Sequence, residues 1–233
     1  MTQDNKAQIL ENKGRSSVIS YGWLALIIIS AVIIIDQIVK IYVKTHFYMG
    51  EDLEVLKWFH IKFIENNGMA FGLELWNKLF LTFGRILAVC LFIWFIVKIK
   101  DNKELRPGFM VSIALITAGA AGNIFDCVFY GQLFNDPFPP EIATMFPEQG
   151  GYAGWFEGRV VDMFYFPFFD FYWPDWIPVI GGNYYEFFAY IFNVADSSIC
   201  IGVFLLILFY SKDATIAFKS VSGSKEERSK EEK

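Results

Sequence analysis

The stretch VISYGWLALIIISAVIII, residues 18–35, decides the fold class, because it is apolar almost throughout and is followed directly by DQIVKIYVK at 36–44. A helix needs about 20 largely apolar residues to cross a bilayer. No small-residue cleavage site follows the run, so we interpret it as an uncleaved membrane anchor rather than a secretory signal peptide. The first membrane span is therefore predicted at residues 18–43.

Three further apolar stretches predict spans at residues 79–98, 107–128 and 187–211. The 233-residue chain is 55% hydrophobic and 19% charged, which excludes a disordered chain and disfavours a soluble domain. Its net charge of −5 provides no basic face for nucleic acid. Three scattered cysteines and two histidines predict neither a disulfide framework nor a metal site, and we expect no cofactor.

The distribution of lysine and arginine predicts the orientation of these spans. Basic residues precede the first span, separate the second from the third, and follow the fourth. Short basic segments remain in the cytoplasm, so the N-terminal tail, 1–17, and the C-terminal tail, 212–233, are both predicted there, the latter as a disordered segment. The predicted fold is an all-α membrane protein with four transmembrane helices and two outer loops.

The two outer loops have different compositions. Residues 128–190 contain 22 of the 44 aromatic residues and seven of the eight prolines, so a regular span is excluded and a position at the membrane–water interface is favoured. The first outer loop shows short alternation in WFHIKFIENNGMAFG, residues 58–72, with a turn signal at 66–68. This pattern predicts a small extracytoplasmic β element.

Polar residues embedded in apolar surroundings indicate a functional site. Asn123 and Asp126 end the third predicted span, and Asn193 and Asp196 begin the fourth. Residues three apart share one face of a helix, so each helix presents an amide beside a carboxylate at its outer end. Asp162 is flanked by apolar residues, as in a segment that dips back toward the helices. Because ionisable groups within a membrane are costly, these residues are functional candidates.

Several of these polar residues also have a purely structural interpretation. Asp36 closes the first span and can pair with Lys40 as an interfacial charge at i+4. Asp126 can act as a supporting or capping residue. Asn123 and Asn193 can form hydrogen bonds between helices. The structural interpretation is weakest for Asp162 and Asp196, because Arg159 is the only cation near either of them in the sequence.

Two carboxylates in a partly dry site share a proton, so that one acts as general base on water and the other as general acid. Such a pair hydrolyses a peptide bond without a metal, and the two roles stay unassigned because the titration belongs to the pair. A small transporter or a lipid-binding membrane protein is the alternative. It is disfavoured because the polar groups cluster at the outer end of the spans rather than at the midplane.

The chain resembles the bacterial lipoprotein signal peptidases, the signal peptidase II family, from about residue 20 to residue 210. The resemblance depends on five motifs that occur in the family's order. They are Asp36-Gln37-x-x-Lys40, Asn66-x-Gly68-x-Ala70-Phe71, Gly122-Asn123-x-x-Asp126, Val160-Val161-Asp162 and Phe192-Asn193-x-Ala195-Asp196-Ser197.

This resemblance implies a multi-pass aspartic endopeptidase of the bacterial cytoplasmic (inner) membrane, with a peptidase domain at 18–211 and an active site toward the outer face. The implied substrate is a diacylglyceryl-modified prolipoprotein, cut just before the lipidated cysteine. The implied partners are that substrate and membrane lipid, without nucleic acid, and we expect a monomer. Beside compact members of the family, segments 132–157 and 165–190 look long, as in a lid over the lipid or a partner surface.

The resemblance also implies roles for individual residues. Asp162 and Asp196 would be the catalytic pair. The family commonly has arginine where this chain has Cys127, and Arg159 is the expected replacement. The implied substrate-binding residues are Asn66, Gly68, Asn123, Asp126, Asn193 and Arg159.

Overall fold

A computed structural model describes residues 20–67 and 78–231 of the chain. Long helices dominate this part of the protein, and most of them follow the apolar stretches of the sequence. The helices are α1 (Tyr21–His46), α2 (Lys78–Ile99), α3 (Pro107–Phe125), α4 (Val194–Phe209) and α5 (Ser211–Glu231). The predicted N-terminal tail, 1–17, lies outside the described residues.

Three helices in the described part of the chain are long and apolar enough to cross a membrane, and they coincide with the first three predicted spans. The third continues beyond α3 through a π-helical turn, Asp126–Tyr130, and one further helical turn, Gly131–Leu133. The fourth differs from the prediction. Helix α4 has 16 residues and qualifies as a span only together with α5, from which it is bent by 91°.

The fourth span begins later than predicted because Asn193 caps α4. The Asn193 side chain accepts a hydrogen bond from the backbone N–H of Asp196, while its own backbone is extended. The residues before it, predicted to be helical from 187, lie instead in strands and loops. The polar cap therefore outweighs the apolar composition in setting the start of the helix.

Small residues let α3 approach its neighbours closely. A Cβ atom added at Gly119 would lie 2.2 Å from the carbonyl oxygen of Ala195, and one at Gly122 would lie 2.9 Å from Oδ2 of Asp36. Such contacts exclude any larger side chain, as is common where membrane helices pack. The glycines thus bring Asp36 of α1, the end of α3 and the start of α4 to one place.

The β content is larger than the all-α prediction allows. The described strands are β1 (Asp52–Leu56), β2 (Phe59–Asn66), β3 (Val160–Tyr165), β4 (Phe169–Tyr172), β5 (Tyr184–Phe187) and β6 (Ile191–Phe192). They form one antiparallel sheet, in the order β1-β2-β3-β6, and a separate β4–β5 hairpin. The β element predicted in the first outer loop is therefore half of a sheet that the second outer loop completes.

A core of apolar side chains fixes this sheet against the helices. Strand β3 is almost fully buried, and its side chains pack between the end of α1 and the extension of α3. The buried members of the core are Val43, Phe63, Tyr130, Phe134, Val161 and Met163. This packing holds the segment that contains Asp162 at the ends of the helices.

The C-terminal segment predicted to be disordered, 212–233, is a helix over most of its length. Ala217 is fully buried in an apolar core that it shares with Ile99 of α2 and Phe109 of α3. Asp213 accepts hydrogen bonds from the backbone N–H of Arg106, at 2.9 Å, and from its guanidinium, at 2.6 Å. This ion pair and the apolar face of the first turns explain why a charged composition still forms a helix.

Candidate active site

The fold brings together the two aspartates that the sequence predicts to be catalytic. Asp162 lies in β3 with 3% of its surface exposed, and Asp196 lies half-buried in the first turn of α4. Strand β3 reaches this place because it pairs with β2 on one side and β6 on the other. Strand β6 leads directly into the cap of α4.

Two asparagines connect the two carboxylates. Asn193 Nδ2 donates to Asp162 Oδ1 at 2.7 Å, and Asn123 Nδ2 donates to Asp196 Oδ1 at 2.7 Å. The asparagines also meet each other, with Asn193 Nδ2 at 3.2 Å from Asn123 Oδ1. An unbroken chain of hydrogen bonds therefore runs from one aspartate to the other and fixes their relative position.

Lys40 contacts this chain of hydrogen bonds at Asn123 and is fully buried. Its ammonium group is 2.8 Å from Asp36 Oδ2, 2.7 Å from Asp126 Oδ2 and 2.8 Å from Asn123 Oδ1. Because an ammonium only donates, its contact with Asn123 Oδ1 directs the other end of that amide, Nδ2, toward Asp196. Lys40 thus orients the side chain of Asn123.

Asp36 forms the ion pair with Lys40 that one interpretation of the sequence predicts, but its predicted interfacial position is wrong. The residue is fully buried. Its Oδ1 accepts from the backbone N–H of Ala195 at 2.9 Å, in the first turn of α4. It therefore ties the middle of α1 to the start of α4, and the close approach of Gly122 covers it from solvent.

Asp126 was expected to bind substrate, and that role stays a prediction. It is fully buried, and its two oxygens are taken by Lys40 and by Gln37 Nε2 at 2.8 Å. Asp126 and Asn123 both contact the Lys40 ammonium, so the two side chains share one face of the helix, as their spacing predicts. Asp126 also accepts from the backbone N–H of Val161 at 3.4 Å, so it supports the strand that contains Asp162.

Two residues of this network were not assigned from the sequence. Gln37 bridges Asp36 and Asp126 through Nε2, and its Oε1 accepts from the buried Tyr130 hydroxyl at 3.0 Å. Gln37 belongs to the first of the five motifs, which was a signal for it. Nothing in the sequence indicates Tyr130, because it becomes a neighbour only when α3 continues past Asp126.

Arg159 was expected to replace the missing arginine at position 127, but its charge is engaged elsewhere. Its guanidinium lies 3.1 Å from Glu65 Oε2 and 2.6 Å from Asp136 Oδ2, and it stacks on the ring of Tyr152. Glu65 also pairs with Lys44. Arg159 therefore joins the outer segment to β2, and its contact with a substrate stays a prediction.

A different arginine lies beside position 127. Arg85 of α2 places Nη1 at 3.5 Å from Cys127 Sγ, within the range of a hydrogen bond to sulfur. Helix α2 thus supplies a guanidinium where the family resemblance leads one to expect an arginine on the turn that follows α3. No local pattern predicts this contact, because the two residues are 42 positions apart.

The remaining predicted residues lie at the edge of the described structure. Asn66 ends β2 and is half-buried opposite Val160, two residues along β3 from Asp162. Gly68 lies outside the described residues. Within residues 20–67 and 78–231, no three His, Cys, Asp or Glu side chains converge in a way that could hold a metal ion.

The environment of Asp162 favours its protonated form. Burial raises the pKa of Asp162 to about 7, and the negative charge of Asp196 raises it as well. The site thus combines a carboxyl that favours its protonated form with a second carboxylate near it. The site can therefore offer a base and an acid at once, as hydrolysis of an amide by activated water requires.

We expect that Asn123→Ala and Asn193→Ala each lower kcat by about ten- to hundredfold, because a lost buried hydrogen bond costs roughly 1–3 kcal/mol. The Asn193 change should have the larger effect, since it also removes the cap of α4. Turnover and thermal melting of each purified variant test this, with the exposed Asn183→Ala as a control. Wild-type turnover in both variants would exclude the two amides from the site.

Comparison with known proteins identifies the family to which the chain is similar. A sequence profile of the family described as Signal peptidase (SPase) II matches residues 28–212. The lipoprotein signal peptidase of Porphyromonas gingivalis is 43% identical over 195 residues, covering 84% of this chain and 86% of the relative. That of Amoebophilus asiaticus is 34% identical, covering 76% of this chain and 72% of the relative.

A solved structure is also similar. It is a bacterial membrane enzyme determined by the in meso method at 2.3 Å resolution, with a TM-score of 0.54 and 26% identity. The similarity covers 82% of this chain and 89% of that enzyme. A second structure of a bacterial membrane enzyme, at 1.9 Å resolution, gives a TM-score of 0.53 and 27% identity.

Proposed function

Because the chain belongs to the signal peptidase II family, it is an aspartic peptidase that removes signal peptides from prolipoproteins, and we propose that Asp162 and Asp196 are its catalytic pair. The observation that carries this proposal is the chain of hydrogen bonds Asp162–Asn193–Asn123–Asp196. This chain of hydrogen bonds connects the buried carboxylate of Asp162 to the half-buried carboxylate of Asp196. The transporter alternative is not supported by the family.

In the proposed mechanism, the pair holds one proton in the resting site. The ionised carboxylate takes a proton from water, which attacks the scissile carbonyl, and the protonated carboxyl donates to the departing amine. Asn123 and Asn193 keep the two carboxylates at a fixed separation, and Lys40 fixes Asn123. The general base and the general acid are not assigned to individual residues, because the proton belongs to the pair.

For the substrate, we propose a prolipoprotein that carries a diacylglyceryl group and is cut just before the modified cysteine. Asn66, at the end of β2, is proposed to contact it together with Asn123 and Asn193. The test is release of signal peptide by the purified protein from a lipidated precursor, with the unlipidated precursor as the control. Equal cleavage of both would contradict the proposed substrate, and cleavage of neither would contradict the reaction.

The raised pKa of Asp162 leads to a pH prediction. A carboxyl with a pKa of about 7 keeps its proton below that pH and loses it above. Since the mechanism needs one shared proton, kcat/KM should fall as the pH rises through about 7, by up to tenfold per unit. Initial rates between pH 5 and pH 9 in one lipid environment measure this. A rate that still rises at pH 9 would contradict it.

We further propose that the active site faces outward in the cytoplasmic membrane and that the protein acts as a monomer. The basic residues on the α2–α3 connection and in the C-terminal segment support this orientation. A cysteine at the exposed position 149 should react with a membrane-impermeant maleimide in intact spheroplasts. A reporter fused after residue 233 should behave as cytoplasmic. Protection of position 149 would reverse the orientation.

A further inference from the structure

The separate hairpin formed by β4, β5 and their connection, residues 169–187, exposes an unusual amount of aromatic surface. We call it the aromatic hairpin. Within its connection, Trp176 is 81% exposed and Val179 is 98% exposed. Rings on its strands are also exposed, on both strands and on both faces, among them Phe169, Tyr172, Tyr184 and Phe187.

The backbone of the aromatic hairpin satisfies many of its hydrogen bonds internally. The strands pair in register from Phe169 with Phe187 to Tyr172 with Tyr184. In the connection, the N–H of Trp173 donates to Asn183 O and that of Gly182 donates to Trp173 O, both at 2.9 Å. A segment closed in this way can enter an apolar environment without leaving these polar groups unpaired.

The charge of the region indicates which kind of surface it would meet. No lysine or arginine occurs between residues 160 and 211, and the only charged residues of the aromatic hairpin are Asp170, Asp175 and Glu186. A polyanion or an anionic headgroup would therefore be repelled. Exposed tryptophan and tyrosine with a few polar groups are typical of the interface between membrane and water.

The aromatic hairpin is also joined to the membrane-embedded part of the enzyme. Phe187 is seven residues before Val194, the first residue of α4, a reach of at most about 25 Å. Aromatic rings also pack between the hairpin and the start of α4. The ring centroids of Phe168 and Phe187 are 6.4 Å apart, and those of Phe188 and Phe192 are 6.0 Å apart. The base of the hairpin thus lies near the start of a helix whose exposed side chains are apolar.

A last contact connects the aromatic hairpin to the proposed catalytic strand. The hydroxyl of Tyr165, in β3, donates to Glu186, in β5. Phe164 of β3 is paired with Phe192 of β6 and packs edge-on against its ring at 6.1 Å. The position of the hairpin and the position of Asp162 are therefore coupled through β3.

From these observations we propose that the aromatic hairpin inserts its connection, around Trp176 and Val179, into the outer-leaflet interface of the bilayer and thereby holds β3 at that depth. The occupant of its exposed surface is neutral membrane lipid. The outer-leaflet location rests on the proposed orientation of the enzyme. Insertion itself does not depend on the assignment of the catalytic residues.

The first test measures the environment of Trp176 in the full-length protein. One copy of the protein is reconstituted in each phosphatidylcholine nanodisc. Two samples are compared, one with ordinary lipid and one with lipid brominated near the headgroup end of its acyl chains. The difference between wild type and Trp176→Phe isolates the emission of Trp176. We expect at least twofold quenching by the brominated lipid and little quenching by iodide in the water phase.

The opposite pattern, quenching by iodide alone, would overturn the proposal and leave the surface to a protein partner. Protection from iodide that appears only when several copies share one vesicle would also overturn it, since the occupant would then be a second copy. Labelling of Gln149→Cys by the membrane-impermeant maleimide in sealed vesicles separates a failure of insertion from an error in orientation.

The second test uses activity on a lipidated precursor. Trp176→Asp combined with Val179→Asp should lower kcat/KM about tenfold in vesicles, through lost apolar burial, while changing it less than twofold in detergent micelles. Phe138→Asp is the matched control, since Phe138 is 86% exposed but lies outside the hairpin. An equal loss in both environments, or the same loss in the control, would overturn the proposal. Wild-type cleavage in detergent reports the proposed function independently.

Discussion

Asp162→Asn and Asp196→Asn are each expected to reduce signal-peptide release by about 10²–10⁴-fold, the range for removing one acid or base from a concerted pair. Asparagine retains an oxygen that can accept from Asn193 or Asn123, so the hydrogen-bond chain and the fold should persist. It cannot exchange a proton as a carboxyl does. The double variant should be scarcely slower than either single one, because residues that act as a unit are not additive.

The measurement is cleavage of a lipidated precursor, together with thermal melting of each variant. Asp170→Asn, at an exposed aspartate on β4, is the control and should cleave at the wild-type rate. If Asp162→Asn or Asp196→Asn cleaves near the wild-type rate while folded, the proposed pair is wrong, although the family assignment would stand. If the fold-losses in rate of the two single variants multiply in the double variant, the two carboxylates act separately.

The sequence predicted those features that depend on composition and on local spacing. Three apolar runs gave the positions of α1, α2 and α3, because an apolar segment of that length has few other stable environments. Asp162 and Asp196 were identified because a carboxylate among apolar residues is costly wherever the chain places it. The structure adds that two amides join them.

The features that escaped prediction depend on contacts between distant residues. Strand β3 pairs with β2 about a hundred residues earlier, and no pattern near Val160–Tyr165 indicates that partner. The contacts of Asp126 with Gln37 and Lys40 were not predicted, because both partners lie more than 80 positions away in the sequence, Gln37 at a separation of 89. Arg159 was assigned to the substrate because it directly precedes the Val160-Val161-Asp162 motif, and its two carboxylate partners were not predicted because they lie far away in the sequence.

The buried charges around Lys40 lead to the largest expected change in stability. Lys40→Met would leave Asp36 and Asp126 buried without their cation, and breaking a buried ion pair from one side costs about 3–5 kcal/mol. We expect a large fall in melting temperature and yield. Activity per folded molecule should fall less, because Asn123 loses one contact that orients it but keeps its bond to Asp196.

A double-variant cycle distinguishes this role from a catalytic one. Adding Asp126→Asn to Lys40→Met removes one of the stranded charges, so the double variant should be more stable than Lys40→Met alone. Lys98→Met, at an exposed lysine of α2, controls for the loss of a lysine as such and should melt like the wild type. If Lys40→Met instead folds with wild-type stability and does not cleave, then Lys40 takes part in the reaction. Its contacts with Asp36 and Asp126 would in that case tune its charge rather than hold the helices together.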